Sequence, residues 1–128
     1  MKNLHLILST IILIPVALGY GIAPKTVLPM LLNITVETVD MLNICRAIMV
    51  LYLAMSALWL MGIYNKKYWF TATITNIFLM GGLSVGRILS LVLDGMPSPI
   101  FLWGILGEMV LAIFAFYQLK KWGGVVKY

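Results

Sequence analysis

Three ionisable residues, Arg46, Arg87 and Glu108, lie inside long apolar segments of the chain. An unpaired arginine at the centre of a bilayer costs about 2.5–3.5 kcal/mol on insertion scales, so such a residue normally faces a partner or a wet cavity. Two arginines and one glutamate leave one net positive charge. A site of this composition favours binding of an anionic lipid headgroup, a carboxylate or another small polar ligand.

The three residues are predicted to approach one another at one depth. At about 1.5 Å per residue, Arg87 lies about 10 Å inward from the predicted end of its helix, and Glu108 lies about 12 Å inward from the predicted start of the next helix. Arg46 lies about 5 Å inside its own helix, and its long side chain can extend inward or toward the interface. We therefore expect one polar cluster in the outer leaflet.

Polar neighbours at helical spacing extend this cluster on two helices. Two of them follow Arg87 by three and seven residues and share its helical face, and two precede Arg46 at intervals of three. The predicted cluster consists of Arg46, Arg87, Glu108, Ser90, Asp94, Asp40 and Asn43. If Asp40 and Asp94 take part, the negative charges balance or exceed the positive ones. The cluster is then a structural network that fixes helix packing, an alternative that the sequence leaves open.

A second candidate site is a stripe on the second predicted helix. Cys45, Met49, Tyr52, Ser56 and Trp59 recur there at helical spacing. Tyr52 and Trp59 are the residues expected to line a pocket for a flat ligand such as a quinone. Helix packing is the competing interpretation, because a stripe at this spacing is the usual pattern of a buried helix face.

Catalytic and metal-dependent functions are not indicated. The single cysteine excludes an internal disulfide and a Cys-x-x-Cys motif. His5 has no partner residues for a metal or haem site, and we expect it to be a plain interfacial residue. No Ser/His/Asp set, histidine cluster or phosphate-binding loop is present. We therefore predict no catalytic residue, no metal site and no cofactor.

Helices that cross a bilayer must position these residues. The chain has 128 residues, of which 62% are hydrophobic and 10% charged, whereas about a quarter of the residues of a soluble domain are charged. The mean hydropathy is +1.05, and a spanning helix needs about 20 mostly apolar residues. The sequence predicts an all-α fold, in which residues 1–128 form a single membrane domain. This domain is a transmembrane four-helix bundle with spans at about 4–20, 43–64, 68–93 and 100–119.

The first apolar run has two interpretations. A signal peptide is one, but the length of the run and the position of Pro15 within it favour a retained, kinked helix. In the following loop, residues 27–32 are expected to form a short interfacial segment. Thr35 is predicted to cap the helix that enters the membrane near Asn43.

The basic residues predict the orientation of the bundle. Lys25 is the one lysine expected in the outer loops, so the positive-inside rule places both termini in the cytoplasm. Trp69 and Trp122 are then expected at the inner interface, where tryptophan is enriched. Scattered basic residues also argue against binding of nucleic acid. The lysines that share the cytoplasmic side are Lys2, Lys66, Lys67, Lys120, Lys121 and Lys127.

Four runs of the sequence carry a family resemblance: GYGIAP, NICRAIMVLYLAMSALWLMG, FLMGGLSVGRILSLVLDGMPSP and GEMVLAIFAF. They resemble a bacterial family of small four-span membrane proteins catalogued as a domain of unknown function. The most specific part is G-R-x-x-S-x-x-x-D-G-x-P, from Gly86 to Pro97. More remotely, the four-helix layout is similar to the DoxX-like group. The resemblance implies a four-helix membrane fold in which the first helix is retained.

The sequence thus predicts a small multi-pass protein of the bacterial inner membrane that acts as a non-catalytic binding or accessory protein for an anionic or lipid-like ligand. One alternative is a proton-coupled transporter in which Glu108 exchanges a proton. Another is a quinone-handling redox partner that uses Tyr52 and Trp59. The expected partners are membrane lipids, together with a second copy of the chain or another membrane protein.

Overall fold

The computed structural model describes residues 1–125, which form five helices and no strand. Four of them are long and apolar enough to cross a membrane, so the chain is a multi-pass membrane protein and the predicted all-α, four-helix fold is confirmed. The short helix α2 contains the predicted interfacial segment. Lys127 lies outside the described residues. The helices are α1 (Leu4–Gly21), α2 (Pro24–Leu32), α3 (Val39–Tyr64), α4 (Lys66–Asp94) and α5 (Pro99–Trp122).

The four long helices pack around the bundle in the order α1, α3, α4, α5. α1 packs mainly against α3, and α4 packs mainly against α5, with a third extensive contact between α3 and α4. The contact between α5 and α1, which would complete the ring, is sparse. The seam between α1 and α5 is therefore the least tightly packed side of the bundle.

Short polar caps define where the helices begin and end. Thr38 caps α3, because its hydroxyl accepts a hydrogen bond of 3.1 Å from the Met41 amide. The prediction that Thr35 caps this helix was wrong, since an N-cap directly precedes the first helical residue, here Val39. Gly95 ends α4 with a φ of +99°, a conformation that glycine adopts without steric cost.

One end of the bundle carries Lys2, Lys66, Lys67, Lys120 and Lys121 and is called the lysine-rich end. Close helix approach and buried aromatic rings form the core there. A Cβ on Gly62 would overlap the Cβ of Ala72, so glycine is what lets α3 and α4 approach at this point. Trp59 and Trp69 are both fully buried. Trp69 lies in the first turn of α4, and its side chain packs into the core of the bundle. Trp122 is half-buried against the same core.

His5 is likewise a core residue and not an interfacial one. It is fully buried, and its Nε2 lies 3.0 Å from the Thr73 hydroxyl, within hydrogen-bonding distance. The imidazole also meets the Trp69 ring edge to face, with 6.0 Å between centroids. The expectation from sequence failed because His5 faces α4, a helix more than sixty residues further along the chain.

Candidate functional site

An ion pair between Arg87 of α4 and Glu108 of α5 is the centre of the candidate site. The arginine Nε donates hydrogen bonds of 2.9 Å and 3.2 Å to the two carboxylate oxygens, and Nη2 donates one of 3.1 Å. The side chains are 23% and 15% exposed. Charge-assisted contacts with this fork geometry are stronger and more directional than single hydrogen bonds between neutral groups.

Local chain geometry explains why these two residues meet. α4 and α5 are consecutive helices joined by residues 95–98, so they run antiparallel. Going away from this turn, Arg87 lies about two turns along α4, and Glu108 lies two to three turns along α5. Gly104 stands one turn before the glutamate, and a Cβ there would lie 3.7 Å from the arginine Nε. A small residue at this position leaves room for the guanidinium.

The ion pair leaves part of the guanidinium unused. Arginine has five N–H donors, and Glu108 engages Nε and Nη2 only. Nη1 of Arg87 makes no hydrogen bond to any group of residues 1–125. The Phe101 ring lies 5.3 Å from the guanidinium carbon, a cation–π distance that holds the head group in place. Arg87 can therefore donate to a further acceptor without releasing Glu108.

A cavity of about 430 Å³ adjoins the ion pair. It lies along the α1–α5 seam and is bordered by α2, and its lining is mostly aliphatic and aromatic. Besides Arg87 and Glu108, the polar side-chain groups of its lining are the Trp103 indole N–H and the hydroxyls of Tyr20 and Tyr52. The two tyrosine rings meet edge to face at 6.2 Å. Apolar residues of the lining include Leu13, Val16, Leu28, Leu31, Phe101 and Trp103.

The cavity reaches the outer surface of the bundle through the α1–α5 seam. On the α1 side, Ile12 is 49% and Val16 40% exposed, and on the α5 side Trp103 is 73% exposed. All three line the cavity. Since these side chains face whatever surrounds the bundle, the opening points sideways, toward the apolar phase that a multi-pass protein occupies.

Arg46 lies apart from the ion pair. Its Nη1 donates to the backbone carbonyl of Gly21, the last residue of α1. Helix C-termini carry unsatisfied carbonyls and partial negative charge, so a cation stabilises them. The net positive charge expected from Arg46, Arg87 and Glu108 is therefore absent from the site. The cavity lining contains one arginine and one glutamate, whose charges cancel.

The other predicted members of the cluster also lie away from the pair. The Ser90 hydroxyl donates a hydrogen bond of 2.8 Å to Asp94, and both residues are exposed near the end of α4. Asp40 and Asn43 are exposed at the start of α3. The structure thus brings together two of the seven residues in the sequence-based cluster.

The predicted aromatic stripe on α3 divides between two regions. Tyr52 lines the cavity, but Trp59 lies outside the lining and donates through Nε1 to the Thr75 hydroxyl at 3.3 Å. The sequence reasoning missed the α5 face of the cavity. Its signal is present in the chain, because Phe101, Gly104, Glu108 and Leu111 recur at intervals of three and four residues.

We expect single and double substitutions of the ion pair to differ in their effect on the free energy of unfolding. Arg87→Met or Glu108→Met alone leaves an uncompensated charge beside an apolar cavity, and should lower the free energy of unfolding by up to about 3–5 kcal/mol. The double variant removes both charges and should recover most of that loss. Reversible unfolding in detergent measures each value, with Ser90→Ala as the control. Losses that simply add in the double variant would contradict the pairing.

Comparison with known proteins places the chain in one family. No curated protein and no solved structure matches it. A family model described as a domain of unknown function, DUF4345, matches residues 1–119. The matched region contains α1 to α4 and most of α5, and with them the Arg87–Glu108 pair and the whole cavity lining. The chain therefore belongs to the DUF4345 family of proteins with a domain of unknown function.

Proposed function

We propose that the protein binds one amphipathic, lipid-like molecule in this cavity and serves as a non-catalytic binding or accessory protein of the membrane. The observation that supports this function is an apolar cavity of about 430 Å³ whose wall holds a charge-balanced ion pair with an unused donor. Ligand pockets generally have about 300–1,000 Å³, apolar walls and a few convergent polar groups.

The ion pair favours a neutral head group with a hydrogen-bond-accepting oxygen. An anionic head would lie close to the Glu108 carboxylate, and a cationic head would lie close to Arg87. A carbonyl or ester oxygen can instead accept from Nη1 of Arg87 while the salt bridge persists. Quinones and acylglycerols share this chemistry. The sequence predicts an anionic or lipid-like ligand. Because the ion pair is neutral overall, we infer that the ligand is a neutral amphiphile.

The cavity walls favour an apolar tail that leaves through the α1–α5 seam. Val16 and Trp103 flank the opening and are 40% and 73% exposed, so a tail between them contacts apolar groups along its length and then continues into lipid. Ligand entry by this route requires no aqueous passage. α2 borders the same space with Leu28 and Leu31 and would cover the ligand from one side.

The two alternative functions have less support. Both carboxylate oxygens of Glu108 accept hydrogen bonds from Arg87, so protonation of the glutamate would first have to break the pair. Trp59 lies outside the cavity lining, which removes one of the two aromatic residues expected to hold a quinone for redox chemistry. Binding alone requires neither proton exchange nor electron transfer.

We place the protein in the bacterial inner membrane with both termini in the cytoplasm. Lys2 precedes α1, Lys66 and Lys67 begin α4, and Lys120 and Lys121 end α5, so these lysines lie at one end of the bundle. Lys25 in α2 lies at the other end. The positive-inside rule assigns the lysine-rich end to the cytoplasm. The cavity, at the α2 end, then opens into the outer leaflet.

Reporter fusions test this orientation. Alkaline phosphatase inserted after Gly95 should be active, because the enzyme matures only outside the cytoplasm, and the same reporter fused after Val125 should be inactive. Green fluorescent protein fused after Val125 should fluoresce. The reversed pattern of phosphatase activity would contradict the proposed orientation.

A cavity-filling substitution tests ligand binding. Gly107 lines the cavity, and a Cβ added there meets no other group, so Gly107→Leu should fill ligand space without disturbing the backbone. We expect this variant to bind a decyl-substituted benzoquinone at least about tenfold more weakly than the wild type, a loss of about 1.4 kcal/mol. Quenching of tryptophan fluorescence measures the binding, since Trp103 lines the cavity.

Two comparisons make this test specific. Gly82→Leu is the matched control, because Gly82 is exposed on α4 outside the lining and also meets no neighbour. Decanoate tests the head group, and should bind more weakly than the neutral quinone. Equal loss in both leucine variants, or tighter binding of the carboxylate, would contradict the proposal.

A further inference from the structure

Four uncharged polar side chains are buried in the interior of the bundle: Ser9 and Thr10 of α1, Ser56 of α3 and Asn76 of α4. They are 0%, 5%, 1% and 0% exposed, respectively. Five of their side-chain atoms, namely the three hydroxyl oxygens and both atoms of the Asn76 amide, make no hydrogen bond to any group of residues 1–125. We call these four residues the polar layer.

The register of α1 against α3 brings two hydroxyls of the polar layer to one depth. The Asn3 side chain donates to the Ile63 carbonyl at 3.2 Å near the lysine-rich end of both helices. Because α1 and α3 run antiparallel, moving seven residues into the bundle from this contact reaches Thr10 on one helix and Ser56 on the other. Ser56 therefore lies level with Ser9 and Thr10.

The register of α1 against α4 adds Asn76 at nearly the same depth. His5 and Thr73 are within hydrogen-bonding distance, at 3.0 Å, and the two helices run parallel. About one turn further along each helix come Ser9 and Asn76. Three helices thus direct unpaired polar groups into one buried level of the bundle.

The polar layer is separate from the ligand cavity. One helical turn toward the α2 end, the same three helices present Leu13, Tyr52 and Met80, which line the cavity and are 4%, 7% and 1% exposed. None of the four polar residues belongs to the cavity lining. One level of large side chains therefore stands between the two regions.

Neighbouring threonines show how a hydroxyl on a membrane helix is usually satisfied. Thr73 and Thr75 donate to backbone carbonyls of their own helix, at 2.8 Å and 2.9 Å. Ser9, Thr10 and Ser56 make no such bond. A buried polar group without a partner is costly in an apolar surrounding, and buried groups in folded proteins are satisfied by protein or by ordered water.

We propose that the polar layer is an internal binding site for water, in which ordered water molecules bridge α1, α3 and α4. Water both donates and accepts, as do the hydroxyls and the amide that surround it. The layer contains no charged side chain that would select an ion. Buried waters make about three hydrogen bonds each, so five unpaired atoms provide partners for about two molecules.

With this water site, the two halves of the bundle differ in what their interior encloses. The half at the α2 end encloses an apolar cavity with an ion pair at its wall, and the other half encloses bound water. This inference does not depend on whether the cavity holds a ligand.

Water-edited solid-state NMR on the full-length protein in lipid bilayers tests the site. Magnetisation should pass from water to Asn76 and Ser56 within short mixing times, although both residues are almost fully buried. The matched control is Ala17, which is also fully buried but lies two turns from the polar layer on α1. Build-up for Asn76 as slow as for Ala17 would overturn the proposal.

A substitution tests whether the water bridges the three helices. Asn76→Leu keeps the branched shape and the number of heavy atoms of the native side chain, and it removes both amide partners. It should abolish rapid transfer from water to Ser56 and lower the midpoint of thermal unfolding by several degrees, because the hydroxyls lose their bridge. A raised midpoint, as expected when an unsatisfied amide is simply removed, would overturn the proposal. Ser9→Ala removes one hydroxyl of the polar layer and tests the same change in midpoint with a smaller substitution.

Discussion

A charge in an apolar surrounding must be neutralised close by, and in this protein Glu108 neutralises Arg87. The three hydrogen bonds of the pair fix the register of α5 against α4. They also hold the guanidinium beside a cavity and away from either helix end. Because Arg87 still has an unused donor, the same interaction that fixes helix packing supplies a polar anchor for a neutral head group. The structural and ligand-binding interpretations of the pair are therefore compatible.

Uneven packing around the bundle leaves a ligand-sized cavity next to this anchor. α1 packs well on α3, and α4 on α5, but α1 and α5 make sparse contact. The cavity lies beside this seam, and its walls come mostly from α1, α2 and α5, with Tyr52 of α3 and Met80, Leu83 and Arg87 of α4 completing them. Small residues such as Gly104 and Gly107 keep the α5 wall open. A ligand in this space would complete the least packed side of the bundle, so binding and stability are expected to be linked.

Features that depend on consecutive helices could be predicted from the sequence. Apolar length gives the four spans, and a constant rise per residue places Arg87 and Glu108 at similar depths on two helices joined by a short turn. Features that depend on distant helices could not. Arg46 pairs with a backbone carbonyl of Gly21, an acceptor that every residue has and that no sequence pattern marks. His5 is buried because it faces Thr73 of α4, which the periodicity of α1 alone does not reveal.

In the proposed function, Arg87 keeps its salt bridge to Glu108 while it offers a donor to a neutral, lipid-like molecule. The most direct measurement is a density map of the full-length protein in lipid nanodiscs, at a resolution that defines side chains. We predict elongated non-protein density along the α1–α5 seam, with its polar end within hydrogen-bonding distance of Nη1 of Arg87 and the salt bridge intact. A map in which side chains from α1 and α5 close the cavity, or in which Arg87 leaves Glu108 to reach the interface, would contradict the claim.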